Sequence, residues 1–247
     1  MGYLKTHGIV LREVNTGEAD KILTIFTKDQ GKVSGVAKSA RKPKSKFVAG
    51  AQFLCYSEFV MFKGRDMFSI NSCDLVEPFY NIRNDIVKLT YSAHLSEILN
   101  DVIQENQPAT KVLQLFLNSL HVLANTEKNP ELITRIFEIR LLSIIGYPPY
   151  VQGCTECGNE EFSGLYFSFK KCGFLCKACS QVDKLAISIT IGTARTLNYI
   201  VHANLKDVFS FEVSEEVLWE LGRISRRYLH EMLEKDYKKL DYLKGLV

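Results

Sequence analysis

Two short cysteine pairs constrain this chain more than any other feature. CTEC runs from Cys154 to Cys157 and CKAC from Cys176 to Cys179, with 18 residues between the pairs. A Cys-x-x-Cys turn aims two thiolates at one point. Two such turns at this spacing supply the tetrahedral four-sulfur shell that zinc prefers. Gly158 and Gly173 flank the pairs, where the backbone has to turn sharply. The sequence therefore predicts a zinc knuckle at about residues 150–182, with Cys154, Cys157, Cys176 and Cys179 holding one structural Zn2+ ion. A closed sulfur shell leaves no position for a water, which argues against a hydrolytic zinc. The segment between the pairs, NEEFSGLYFSFKKCGF, shows little helical or core potential, so the metal is expected to organise it. A redox pair would need only one CxxC and a thioredoxin-like βαβ setting, which is missing. Cys172 precedes the second pair by four residues and competes as a ligand, but the pair geometry favours Cys176 and Cys179. Cys55 and Cys73 fall in strands and read as small core residues.

Charge is placed unevenly. The chain has 31 basic and 28 acidic residues, yet the segment Gln30 to Ser57 holds six basic residues and no acid. Five of them, Lys38, Arg41, Lys42, Lys44 and Lys46, lie in AKSARKPKSKF. Residues 1–80 carry twelve Lys/Arg against eight Asp/Glu, and the remainder 19 against 20. A basic front joined to a near-neutral remainder predicts a polyanion partner for the front.

The first 80 residues read as short strands: His7 to Val14, Lys21 to Thr27, KVSGVAKSA with an expected bulge or bend at Gly35, QFLCYSEFVMF, and MFSINSCDLVE. The third and fourth are joined by the basic loop, the last two by the turn KGRD. Five strands with one long polar loop suggest a small barrel such as an OB-fold. From Asn84 the apolar spacing becomes helical. Thr110 can cap a second helix, Asn129-Pro130 starts a third that stops at Gly146, and two more helices lie near 190–203 and 214–235. The expected fold class is α+β. Its domains are an N-terminal OB-fold barrel, residues 1–80, and a mainly helical domain, 81–247, carrying the zinc insert.

No phosphate-binding loop, dinucleotide fingerprint or HExxH occurs. His7, His94, His121, His202 and His230 are scattered, and Glu18 and Asp20 sit in the turn NTGEAD, where solvated carboxylates are the default. The expectation is a protein that is not an enzyme. No apolar run is long enough to span a membrane, and MGYLKTHGIV lacks a signal core.

Several stretches resemble one bacterial family, in order and over nearly the whole length. GIVLREVNTGEADKILTIFTKDQGKVSGVAKSARKPKS is similar to the opening of the RecO family of recombination mediators. RIFEIRLLSIIGYPPYVQGCTECG, CGFLCKAC and ISRRYLHEMLEKDYKKLDYLKGL resemble its later parts. Where the family often has two glycines before the second pair, Cys172 replaces the first. The resemblance implies sequence-independent binding of single- and double-stranded DNA and strand annealing without nucleotide hydrolysis. It implies partnership with RecR and with the C-terminal tail of single-strand-binding protein, loading of RecA on coated strands, and a cytoplasmic, nucleoid-associated location.

On this reading the loop Lys38, Arg41, Lys42, Lys44 and Lys46 is a flexible phosphate-binding element. Lys63 and Arg65 extend its positive track, as could Lys5 and Arg12. Phe26, Phe47, Phe53, Tyr56, Phe59, Phe62 and Phe68 are candidates for base stacking or for core. Arg135 and Arg140, beside Ile136, Phe137 and Leu141, offer a wall for an acidic, Phe-ending peptide, with pairing to Glu138 or Glu131 as the plainer role. Rival readings are an RNA-binding OB and zinc protein, a non-catalytic adaptor for an acidic protein, and a zinc hydrolase.

Overall fold

The computed structural model describes residues 3–160 and 164–245. Five strands open the chain: β1 (Tyr3–Thr16), β2 (Asp20–Thr27), β3 (Gly31–Ala37), β4 (Tyr56–Lys63) and β5 (Phe68–Glu77). They form a closed barrel in the order β1-β2-β3-β5-β4, with β4 pairing back to β1 and β3 running parallel to β5. This is the five-stranded Greek-key order of an OB-fold. Period-two alternation turns Val10, Leu23, Ile25, Val33, Phe59, Met61 and Ile70 into the barrel core.

Several local expectations change. β1 begins at Tyr3 rather than His7, and β3 ends at Ala37. β4 begins at Tyr56 because Leu54 is left-handed (φ 63), which no strand accommodates. Gly35 is not a bulge, since β2 and β3 pair without interruption through Leu23↔Gly35. A Cβ there would lie 2.9 Å from Ile70 Cγ1, so the glycine permits close packing across the barrel. The register shift in β1 lies between Val10 and Arg12.

Helices α1 (Tyr80–Arg83), α2 (Ile86–Val102), α3 (Thr110–Asn125) and α4 (Pro130–Ile144) follow. The Asp85 carboxylate accepts from the N–H of Val87 and Lys88 and caps α2, and Asn129 accepts from Glu131 N and caps α4. Thr110 is already inside the first turn of α3, where Leu113 N donates to Ala109 O.

The inter-cysteine segment is better ordered than its composition suggested. β6 (Leu165–Ser168) and β7 (Gly173–Cys176) form a hairpin, and β8 (Ile187–Ile189) pairs on the other side of β6. Phe167, Phe169 and Phe174 are buried, and Phe167 packs edge-on to Tyr228 at 5.7 Å. The expectation that this segment lacks core potential is therefore corrected: Leu165, Phe167 and Phe169 alternate as a strand does.

Helices α5 (Ile191–His202) and α6 (Glu215–Leu233) then pack with α4. The buried Glu220 carboxylate accepts from Thr190 N and Thr190 Oγ1, each at 2.9 Å, and from Thr193 Oγ1, closing the N-terminus of α5. A 3-10 helix, Lys239–Gly245, ends the described chain against α2. The chain divides into two compact units, residues 1–124 with 239–247, and residues 125–238. Helices α1 to α3 thus belong with the barrel. Among the described residues, no helix is long and apolar enough to cross a membrane.

Candidate nucleic-acid interface and metal centre

The basic loop leaves β3 at Lys38 and returns at Cys55. Lys38, Arg41, Lys42, Lys44 and Lys46 are all exposed. In the same loop, Ala40 among the cations and Phe47, Ala51 and Leu54 after them are buried, and the first three join the barrel core. The loop is therefore fastened over the mouth of the barrel by its own apolar residues and is not the free tether expected from its charge. Its conformation is held at both ends. The Asp20 carboxylate accepts from Ser39 N at 2.6 Å, where Ser39 is left-handed (φ 56), and Arg41 N donates to Ala19 O at 2.9 Å. Arg83 donates to Phe53 O at 2.6 Å, to Gln52 Oε1 and to Pro78 O at 3.2 Å. A Cβ on Gly50 would lie 2.8 Å from Cys73 Sγ, so only glycine lets the backbone cross there. A groove of about 610 Å³ runs between Arg41, Lys42, Pro43 and Val48 of the loop and Glu13, Asn15 and Lys21 of the β1–β2 hairpin.

The structure separates two groups that the sequence had joined. Strand directions put the basic loop at the barrel end that holds Thr16, Asp20 and Tyr56, while the β4–β5 turn lies at the end that holds Tyr3, Thr27 and Gly31. Lys63 and Arg65 therefore do not extend the loop's track. They border a separate cleft of about 290 Å³ with Lys32, Asp66 and Glu105. Lys5 pairs with Glu58 at 2.9 Å, and Arg12 lies exposed on β1.

Of the aromatic candidates, Phe26, Phe47 and Phe59 are buried, and Phe53, Tyr56 and Phe68 half-buried. Phe62 is exposed and meets Tyr3 at 5.8 Å. Arg135 is not a surface wall. It is 1 % exposed and bound to Glu138 at 2.7 Å, with Ile136, Phe137 and Leu141 buried around it. Arg140 instead donates to Val201 O and to Ala203 O at 2.7 Å, closing the C-terminus of α5.

The four knuckle cysteines converge. Their sulfurs lie within 4.8 Å of one another, with Cys157 and Cys176 3.8 Å apart. Sulfurs bound about 2.3 Å from one tetrahedral centre lie about 3.8 Å from each other, so the set could hold a metal ion. Gly158 (φ 72) makes the first turn, and its N–H donates to Cys154 O at 2.9 Å. Gly173 serves a different purpose, since a Cβ there would lie 2.4 Å from Tyr150 O. Burial pushes the Cys154 thiol up, but the N–H groups of Cys157, Cys176 and Glu156 outweigh it and hold it at about 6. The neighbouring sulfurs of Cys176 and Cys157 push Cys179 up to about 12. Ionising all four thiols requires a cation among them. Cys172 turns away, its sulfur directed to Phe169 O at 3.4 Å.

Sequence reasoning took Asp20 for a solvated carboxylate, whereas it holds Ser39, and passed over Arg83 and Tyr3, whose roles depend on contacts distant in the chain. It also passed over Arg195, which with Val151, Glu160, Leu165, Phe174, Ile191, Ala194, Asn198 and Tyr199 lines a cleft of about 490 Å³, so the lining carries one cation and one acid.

Comparison with known proteins agrees with this architecture. The family model of the recombination protein O N-terminal region matches residues 1–79, and that of the recombination protein O C-terminal region matches residues 83–241. The two models meet where the strands give way to helices. The DNA repair protein RecO of Acetivibrio thermocellus is 61% identical over all of this chain and 98% of its own length. The proteins of the same name from Alkaliphilus metalliredigens and Caldicellulosiruptor saccharolyticus are 34% and 35% identical, each over 99% of its length and over 98% and 99% of this chain. The barrel, the helical region with its four-cysteine cluster and these full-length matches lead to one conclusion: the chain belongs to the RecO family of DNA repair and recombination proteins.

Proposed function

We propose that this protein is a non-catalytic recombination mediator. It binds single- and double-stranded DNA through the phosphate backbone, anneals complementary strands, and with RecR helps load RecA on strands coated with single-strand-binding protein. The observation that carries this reading is the basic loop: five exposed cations, no acid among them, on a backbone anchored to the barrel. Backbone binding releases condensed counterions and needs no base readout, so such a loop serves any gap or overhang. Annealing also requires that two negative strands approach, and the same cations lower their repulsion. Lys63 and Arg65, at the far end of the barrel, give a separate backbone contact, independent of the loop. The four sulfurs Cys154, Cys157, Cys176 and Cys179 hold one structural Zn2+. The cleft lined by Val151, Leu165 and Phe174 offers an apolar wall to an aromatic side chain, with Arg195 available to a carboxylate and Glu160 in the same lining, and is the candidate seat for the single-strand-binding-protein tail. Cytoplasmic action at the nucleoid follows from these partners.

The test is anisotropy of a labelled single strand across a salt series, with the native chain and a variant carrying Ala at 38, 41, 42, 44 and 46. Each phosphate neutralised on a single strand contributes about 0.7 to the salt slope through counterion release, so the variant's slope should be smaller by up to about 3.5. An unchanged slope would exclude the loop as the backbone contact. No binding by the native chain at low salt would exclude DNA as a direct ligand, and equal binding of matched RNA would remove the preference for DNA.

A further inference from the structure

The chain has one tryptophan, and it faces solvent. Trp219 on α6 is 62% exposed. The guanidinium of Arg223, one turn on, lies 4.6 Å from the indole centre. Among the described residues, Arg223 meets no carboxylate within 4 Å. The next exposed position on the same stripe is Arg226, whose side chain is 57% exposed and uses Nη2 to reach Glu131 at 3.0 Å. From Trp219 to His230 the sole acid is Glu220, which is buried against Thr190 and Thr193 and faces away from this stripe. The outward stripe Trp219–Arg223–Arg226 is thus an aromatic plane followed by cations at roughly one-turn spacing, about 4.5 to 6 Å along the helix.

We propose that this stripe of α6 is a second contact for single-stranded nucleic acid, in which a base stacks on Trp219 and the adjoining phosphates meet Arg223 and Arg226. The proposal goes beyond the loop and lies in the other compact unit, though it rests on the reading that the protein binds nucleic acid. Three features favour a strand over an acidic peptide. The Arg223 guanidinium already lies over the Trp219 ring, and a base stacks on such an exposed aromatic face without sequence preference. The helix face is convex, whereas a peptide anchor needs a groove around it. Arg223 and Arg226 stand about 4.5 Å apart along the helix, and their long side chains can spread to neighbouring phosphates. A site for one strand on α6 and another on the barrel loop would let one molecule hold two strands during annealing.

The single tryptophan makes the test site-specific. The full-length native chain and the five-alanine loop variant are titrated with oligothymidylate at low salt while indole fluorescence is followed. In both, Trp219 emission should be quenched in step with binding, and more salt should reverse it. Trp219→Ala in the native chain should weaken single-strand affinity about five-fold or more, measured by anisotropy. Arg223→Ala with Arg226→Ala should weaken it further without changing the melting temperature. Silent fluorescence at saturation, with anisotropy reporting a complex, would overturn the α6 site and leave the loop reading intact. Quenching by an oligoglutamate peptide but not by oligothymidylate would overturn it in favour of a protein partner. Failure of the native chain to bind the labelled strand at all would remove both readings together.

Discussion

The Arg83 guanidinium lies 2.9 Å from the Cys55 sulfur and 2.6 Å from the Phe53 carbonyl oxygen. One side chain just beyond the barrel therefore pins the returning end of the basic loop, next to the left-handed Leu54. Removing it leaves the Phe53 and Pro78 carbonyls without these partners.

Arg83→Ala should lower unfolding free energy by about 2 kcal/mol, because hydrogen bonds from a charged donor contribute about 1.5–3. Arg83→Lys should recover little, since an ammonium cannot match several acceptors spread around a planar fork. Denaturant titration measures this. A midpoint equivalent to a loss under roughly 0.5 kcal/mol would mean the loop end is held by its own packing.

Metal removal separates two sources of order around the knuckle. Chelation, or Cys157→Ser, should release one ion per chain and speed amide exchange at residues 154–158 and 177–182. The strand Leu165–Ser168 should stay protected, because Phe167, Phe174 and Tyr228 bury their rings there without help from a metal. Equal loss of protection in both regions would show that the ion organises the whole segment.

Acid should weaken the unit that holds Asp183. Burial opposes ionisation of this carboxyl, but the Ser168 hydroxyl at 2.7 Å, the N–H groups of Leu185 and Lys170, and Arg227 outweigh it. Together they hold the carboxyl below its ordinary 3.8. A depressed folded value means the stabilisation is complete above 3.8 and is lost as pH falls through the lower, folded-state value. Asp183→Asn should therefore show a flatter loss of stability below about pH 4. Melting temperatures of both proteins against pH test the point, and parallel curves would assign the acid sensitivity to other groups.

Lys63 and Arg65 stand at the opposite barrel end from the basic loop and share no partner with it. Alanine at both positions should weaken DNA binding in the native chain and in the loop variant by the same factor, to within about 0.5 kcal/mol. A clearly smaller factor in the loop variant would show that one stretch of backbone bridges both groups.

The sequence by itself determined those features that depend on spacing along the chain. The two CxxC pairs named the four sulfurs, alternation named the strands of the barrel, and Asn129-Pro130 marked a helix start, since each is decided within a few residues. The basic loop was legible for the same reason, as five cations without an acid. What only the tertiary structure decided depended on contacts between distant segments. The pairing of Arg135 with Glu138 was legible from their spacing on one helix, but its near-complete burial was not, because that depends on the apolar side chains packed around the pair. Lys63 and Arg65 read as neighbours of the loop until strand direction placed them at the other end of the barrel. Asp20 read as a solvated carboxylate until it met Ser39. Charge and alternation are written locally, but the partner that a charged group finds is fixed only when the barrel closes and the helices pack.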